Sequence, residues 1–174
     1  MSKAPPQRVR VTKLQELQIN QVVAVDRACK ESLHRAGISA ADVPARGLAG
    51  IAKLTKLHNV LVAEADGVVA GYAAWRDESP GVAYLEEIHV EPELQRLGIG
   101  SRLLDAIRED VRSVGLPVLV TRCWAKGPGK AFFTKAGLQP LDDSNERVAL
   151  WRQEQEAAGA LAKEGQVVLM QSTL

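Results

Sequence analysis

The segment Gln95-Arg96-Leu97-Gly98-Ile99-Gly100 lies between a predicted strand and a predicted amphipathic helix. Glycines at 98 and 100 lack Cβ atoms, so the chain can turn tightly there and a ligand can approach the backbone. The amides of the first helical turn have no intrahelical acceptors, and the helix dipole adds partial positive charge. A pyrophosphate is a natural occupant of such a helix start, where Arg96, Arg102 and the Ser101 hydroxyl would add contacts.

The same hexapeptide has a simpler interpretation, a strand-to-helix turn that uses glycine for geometry alone. Two other glycine-loop classes do not fit. A P-loop needs Lys-Ser or Lys-Thr after its second glycine, and a dinucleotide fingerprint needs a third glycine after the first strand of the chain. Neither feature is present in this sequence.

The segments around the loop predict a strand-helix-strand crossover. Residues 83–90 form an apolar run that ends at Glu91-Pro92, because proline cannot donate to a strand ladder. A helix is expected over 98–114, with a buried stripe that recurs every four residues, and then a strand over 118–123. The stripe consists of Ile99, Leu103, Ile107 and Val111.

The remaining segments complete an α/β (α+β) chain. Before the loop we expect a strand at 8–11, a helix with Thr12 as N-cap, and a second helix from Pro44 to about residue 56. Strands at 60–65 and 68–75 follow and form a hairpin that turns at Asp66-Gly67. After the crossover we expect a helix at 130–136, a strand at 138–141, a helix at 144–163 and a strand at 166–170. This order predicts a mixed sheet with helices on both faces.

Length and composition suit one domain over 1–174, with a flexible tail at 1–7 and a helical insertion at 143–164 before the last strand. Lys and Arg number 22 against 21 Asp and Glu, so no broad basic field is available for nucleic acid or a membrane surface. Cys29 and Cys123 lack metal-ligand spacing, so we expect neither a disulfide nor a metal. Because no signal peptide or membrane-spanning run is visible, the expected location is cytoplasmic.

Three segments in order resemble the GNAT acyltransferase superfamily. Gln95, Gly98 and Gly100 match its Gln/Arg-x-x-Gly-x-Gly/Ala motif. The preceding Ile88-His89-Val90-Glu91-Pro92 is similar to the family's fourth strand and turn, and residues 131–138 are similar to its Phe-Tyr-Glu-Lys-x-Gly-Phe motif. The resemblance covers roughly residues 60–141.

This resemblance implies a mostly antiparallel sheet of six or seven strands in which the fourth and fifth strands splay apart. It also implies acetyl-CoA, or another acyl-CoA, as co-substrate and no metal. The pantetheine arm would lie along the fourth strand, with the Val90 backbone near the thioester carbonyl and the loop amides around the pyrophosphate. The implied cofactor-binding residues are Ile88, His89, Val90, Gln95, Arg96, Leu97, Gly98, Ile99, Gly100, Ser101, Lys130 and Phe133.

The chemistry requires a base, because most alkyl amines are protonated near neutral pH. Glu86 and Glu87 lie on the fourth strand and face opposite sides, so only one can enter a given cleft. The resemblance favours Glu86 over Glu87 as the base.

The resemblance also places Phe133 where related enzymes carry a tyrosine that protonates the leaving thiolate. That role is then absent, filled by solvent, or taken by another group, for which Tyr84, His89 and Cys123 are the candidates. Tyr84 and Trp124 are the expected substrate contacts.

The expected function is therefore transfer of an acetyl or short acyl group to a small-molecule amine. One alternative acceptor is a protein N-terminus or lysine. A further alternative is a binding or regulatory module that senses acyl-CoA without turnover. No nucleic acid or membrane partner is expected, and a homodimer is the one assembly that we consider.

Overall fold

A computed structural model describes residue 6 and residues 8–78, 81–158 and 167–174. Its strands are β1 (Val9–Lys13), β2 (Asn59–Ala65), β3 (Val68–Glu78), β4 (Val82–Val90), β5 (Val118–Trp124), β6 (Gln139–Pro140) and β7 (Val167–Thr173). The α-helices are α1 (Ile19–Arg35), α2 (Leu48–Leu57), α3 (Ile99–Ser113), α4 (Gly129–Lys135) and α5 (Glu146–Ala157). Within the described ranges, no helix combines the length and apolarity that a bilayer crossing requires.

The strands form one seven-stranded sheet in the order β1-β2-β3-β4-β5-β7-β6. β1, β2 and β3 pair antiparallel, as do β5, β7 and β6, whereas β4 and β5 run parallel. The mixed, mostly antiparallel sheet predicted from the sequence is confirmed. The β4–β5 ladder ends at Leu85 and Thr121, so the last five residues of β4 lie beyond it.

The β2–β3 hairpin turns where the sequence predicted. Asp66 has φ 51° and Gly67 has φ 87°, which is the pair of positive φ values that a tight two-residue hairpin turn needs. Asp66 also accepts a hydrogen bond from the Arg8 amide at 3.0 Å. The local turn chemistry therefore sets the register of the two strands.

The chain divides into two compact units, Met1–Trp75 with Glu87–Ile107, and Arg76–Glu86 with Arg108–Leu174. The first unit has a core where α1 and α2 pack on β2 and β3, and the second has a core made by β4, β5 and α5. The first core contains Val22, Val25, Cys29, Ile51, Leu54, Val60, Val62, Val69, Tyr72 and Ala74. The second contains Val82, Tyr84, Val118, Val120, Val148 and Trp151.

Several predicted boundaries need correction. Thr12 is not a helix N-cap; it pairs with Val62 in β1, and α1 begins only at Ile19 after a 3₁₀ turn. α2 begins at Leu48 rather than Pro44. α5 begins at Glu146, because the Asn145 side chain accepts the Arg147 and Val148 amides, and it ends at Ala157.

Some expectations fall on residues outside the described ranges. These include residues 1–5 and 7 of the expected tail, residues 159–164 of the expected helical insertion, and residue 166 of the last strand. The assignment of residues 1–174 to one domain stays a prediction.

Candidate functional site

The glycine loop before α3 has an unusual backbone. Arg96 has φ 63° and Gly98 has φ 81°, so two of three successive residues adopt left-handed conformations. Only glycine does so without steric cost, which explains Gly98. Ile99 is buried and fixes the start of the helix, while Gln95, Arg96 and Leu97 are exposed.

The backbone amides of residues 97–101 have no acceptor among the described residues. The first backbone hydrogen bond of α3 runs from the Arg102 amide to the Gly98 carbonyl at 3.1 Å. Across the described part of the chain, none of the five preceding amides donates to another group. Five successive donors at a helix start, flanked by the exposed cations Arg96 and Arg102, form a potential anion site.

The carbonyl of Val90, at the end of β4, is held by two side chains. Gln95 Nε2 donates to it at 3.0 Å and Cys29 Sγ at 3.1 Å. Burial, followed by the negative charges of Glu91 and Asp26, raises the pKa of Cys29 to about 12, so the thiol keeps the proton that it donates. Gln95 therefore ties the loop back to β4, a structural role that the motif alone did not reveal.

Beside this strand end, the first unit holds a group of buried and partly buried charged and polar side chains, which we call the ionic cluster. Its residues lie on α1, on β3, on β4 and in the segment that precedes α2. Its members are Asp26, Lys30, Arg46, Tyr72, Glu87 and His89.

Glu87 is at the centre of the ionic cluster, with 8% of its side chain exposed. It accepts Arg46 Nε at 3.0 Å and Lys30 Nζ at 3.3 Å. Burial by itself raises the pKa of this carboxyl, but His89, Lys30 and Arg46 outweigh burial and lower it well below its usual range. Glu87 is therefore a carboxylate at neutral pH and a weak proton acceptor.

Tyr72 bridges the two carboxylates of the cluster. Its hydroxyl lies 2.8 Å from Asp26 Oδ1 and 2.9 Å from Glu87 Oε1, so one proton is shared between two acceptors. Burial, then Glu87 and Asp26, raise the pKa of this phenol well above its usual value. Asp26 also accepts the Arg46 amide, which anchors the segment before α2.

The cluster also contains a possible set of metal ligands. One ligand atom each from Asp26, Glu87 and His89 lies within 4.8 Å of the others. Lys30 Nζ is 3.7 Å from Asp26 Oδ1 and 3.3 Å from Glu87 Oε2, and Arg46 Nε is 3.0 Å from the other Glu87 oxygen. The protein's own cations therefore occupy the carboxylate oxygens that a metal would need.

The His89 side chain makes no hydrogen bond within the described ranges. Its Nε2 atom is buried, has no hydrogen-bond partner, and lies 3.6 Å from Glu87 Oε2. The ring packs against Tyr72 with centroids 5.5 Å apart, and 13% of the side chain is exposed. No residue in the described ranges hydrogen-bonds to Nδ1.

Glu86 belongs to a different environment, in the second unit. Its carboxylate accepts Arg76 Nη1 at 2.7 Å and is 21% exposed. Arg76 also pairs with Glu78 and lies over the Tyr84 ring, 5.1 Å from the centroid. The alternation of β4 thus places the two glutamates in separate charged groups, as the sequence predicted.

Tyr84, an expected substrate contact, is buried in the second core. It stacks on Trp151 with centroids 5.9 Å apart. Burial raises the pKa of Tyr84 to about 12, with Arg122 opposing this rise and Glu86 adding to it. Trp124, the other expected contact, is half-buried at the end of β5.

The expected cofactor residues of the second unit differ in exposure. Lys130 is exposed, whereas Phe133 is 4% exposed and packs edge-on against Phe132 at 5.1 Å between centroids. A Cβ atom at Gly129 would come within 3.0 Å of Cys123 Cβ, so glycine permits α4 to approach β5. Burial raises the pKa of Cys123, and the nearby Lys130 charge opposes that rise.

Sequence reasoning did not find most of the ionic cluster. Asp26 and Lys30 are charged residues four apart, set among the buried positions Val22, Val25 and Cys29 of α1. Charges inside an apolar helical stripe are a signal that pairing is required. No comparable local signal marks Arg46 or Tyr72.

Comparison with known proteins agrees with this fold. The model of the "Acetyltransferase (GNAT) family" matches residues 37–138, more than half of the 174 residues. The chain belongs to the GNAT acetyltransferase family, as the sequence motifs predicted.

Individual relatives differ widely in sequence. Mycothiol acetyltransferase of Thermobifida fusca is 33% identical over 100 residues, which is 56% of this chain and only 28% of that protein. The PaiA N-acetyltransferase of Thermoplasma acidophilum, solved with coenzyme A, is 16% identical over 97% of this chain and 100% of its own, with a TM-score of 0.73. N-acetylglutamate synthase of Neisseria gonorrhoeae, solved with coenzyme A and N-acetyl-glutamate, is 19% identical over 96% of this chain and 35% of its own, with a TM-score of 0.70.

Proposed function

We propose that this chain transfers an acetyl or short acyl group from acyl-CoA to the amine of a small molecule. The observation that carries the proposal is the run of amides at residues 97–101, which has no protein acceptor in the described ranges. In the proposed complex these amides bind the CoA pyrophosphate, since a helix start favours anions both by its donors and by its dipole.

Family membership and two similar proteins support this choice. The PaiA enzyme and N-acetylglutamate synthase were both solved with coenzyme A. Two of the similar proteins are named for small molecules, mycothiol and N-acetyl-glutamate, and another is named as a ribosomal-protein-S18-alanine N-acetyltransferase, so relatives of both acceptor classes share this fold.

The proposed chemistry is direct attack of a neutral amine on the thioester carbonyl. A base must first take a proton from the ammonium form of the acceptor. The resemblance favours Glu86 for this step, but in the structure the Glu86 carboxylate is paired with Arg76. Phe133 has no ionisable group, so it does not donate a proton to the leaving thiolate.

A matched pair of glycine variants tests the cofactor site. Gly98 and Gly115 both have positive φ, 81° and 79°, and both have open space where a Cβ would be added. Gly98→Ala and Gly115→Ala should therefore each lose about 1 kcal/mol of stability from left-handed strain. Only Gly98→Ala should also lose most of the rise in melting temperature that acetyl-CoA produces, since it disturbs the donor loop.

Equal ligand-induced shifts in the two variants would contradict binding at residues 97–101. Release of free thiol from acetyl-CoA, measured with a panel of primary amines, then separates catalysis from sensing. A protein that is stabilised by acetyl-CoA but releases no thiol with any amine or peptide would be a binding module.

A further inference from the structure

We infer that His89, positioned by Glu87, is the general base that accepts the proton of the acceptor amine. This inference rests on the proposed acyl transfer and names the group that performs its proton step. The geometry that carries it is an imidazole with one nitrogen buried 3.6 Å from a carboxylate oxygen and the other nitrogen without a partner in the described ranges.

The orientation of the ring decides which nitrogen can act. Nε2 is buried and faces Glu87 Oε2, so a proton on Nε2 lies next to the carboxylate. That tautomer leaves the lone pair on Nδ1, and the exposed 13% of the side chain gives it access to a substrate. Glu87 then fixes the tautomer and stabilises the imidazolium that forms, while it stays ionised itself.

The two glutamates of β4 are less suited to the step. Glu87 is held ionised by Lys30 and Arg46, which lie 3.3 Å and 3.0 Å from its oxygens. Glu86 is paired with Arg76 at 2.7 Å. A carboxylate that accepts charged hydrogen bonds loses them when it takes a proton, which makes Glu87 a weak base. The Glu86 carboxylate is already engaged by Arg76.

The surroundings of His89 are balanced in charge. Glu87 on β4 and Asp26 on α1 supply two negative charges, and Lys30 on α1 and Arg46 before α2 supply two positive ones. Tyr72 on β3 presents a neutral phenol whose pKa is raised. A neutral imidazole adds no charge to this group, and a protonated one finds the Glu87 carboxylate at ion-pair distance.

In the proposed step, Nδ1 of His89 takes one proton from the substrate ammonium, and the neutral amine attacks the thioester carbon. The new C–N bond forms, the adduct collapses, and the C–S bond breaks to release the CoA thiolate. The attacking nitrogen of the substrate then loses a second proton, which passes through solvent to the leaving sulfur. His89 returns the proton that it accepted to solvent. The products are the amide, CoA thiol and one proton.

Kinetics of three variants test the assignment. His89→Gln should lower kcat/KM for thiol release by about 100-fold or more and remove the acid limb of its pH profile. Glu86→Gln should keep that limb. Glu87→Gln should keep it but move it to lower pH, because the imidazolium loses its neighbouring anion. All three should retain the melting-temperature rise produced by acetyl-CoA, because the expected contact of residue 89 with the pantetheine arm is through the backbone, which a side-chain substitution leaves in place. A failed base assignment is therefore distinct from a failed cofactor site.

The inference is overturned if His89→Gln keeps the acid limb, or if Glu86→Gln alone abolishes it. A spectroscopic test needs no acceptor amine. Nitrogen-15 NMR of labelled histidine, with the signal assigned by its loss in His89→Gln, should show neutral His89 protonated at Nε2. A neutral form protonated at Nδ1 would place the lone pair against Glu87 and exclude the proposed role.

Discussion

Adjacent glutamates on β4 differ in what their charges contribute to the fold. Glu87 is 8% exposed and pairs with Lys30 and Arg46, whereas Glu86 is 21% exposed and pairs with Arg76. Removing one partner of a buried ion pair leaves uncompensated charge in a poorly solvated place. The two residues therefore form a matched pair for a test of stability.

Glu87→Gln should cost about 3–5 kcal/mol of unfolding free energy at pH 7, since Lys30 and Arg46 lose a buried partner. Folding lowers the pKa of Glu87, so its ionised form stabilises the native chain above the unfolded value of about 4.3. That contribution is lost as pH falls toward the native value. Urea unfolding of the variant should therefore depend less on pH in the acid range than that of the parent.

Glu86→Gln is the control, and it should cost about 1 kcal/mol or less at pH 7, because solvent screens its pair. Equal losses in the two variants would contradict the central place of Glu87 in the ionic cluster.

At the scale of elements, β3 and β4 approach closely beside the ionic cluster. A Cβ atom added at Gly71 would lie 2.7 Å from the backbone oxygen of His89 and 3.2 Å from Leu103 Cδ1. A backbone atom cannot rotate away as a flexible side chain can. Glycine at position 71 therefore lets β3 lie against the part of β4 that carries His89.

Gly71→Val should lose about 3 kcal/mol of stability in urea unfolding, because the strands must separate to admit the side chain. Gly47→Ala, where nothing lies within 4 Å of the added Cβ, should change stability by no more than about 1 kcal/mol. A Gly71→Val protein as stable as the parent would show that β4 moves freely at His89.

For the whole molecule, a ligand that binds only the folded state raises stability by mass action. At a concentration 100 times its Kd, acetyl-CoA should add about 2.7 kcal/mol, or roughly 5–10 °C in melting temperature for a chain of this size. The same concentration of S-acetyl-pantetheine, which lacks the diphosphate, should give a much smaller shift. Equal melting-temperature shifts from both compounds would contradict the proposal that the loop amides bind the diphosphate.

The sequence by itself determined the features that depend on neighbours along the chain. The Asp66-Gly67 turn, the buried stripe of α3 and the Gly98 loop were all predicted, because positive φ values and helical periodicity are local properties. Helix starts were predicted less well: Thr12 lies in β1, because pairing with β2 overrides its capping preference.

The tertiary structure alone decided which charges meet. Lys30 reaches Glu87 across 57 positions of sequence, Arg46 across 41, and Tyr72 links Glu87 to Asp26. No short-range pattern encodes such pairs, because each forms only when packing removes both side chains from water and leaves the other as the nearest partner. For the same reason, Glu86 and Glu87 were indistinguishable in the sequence beyond facing opposite ways, and the contact of His89 with Glu87 became visible only in the folded chain.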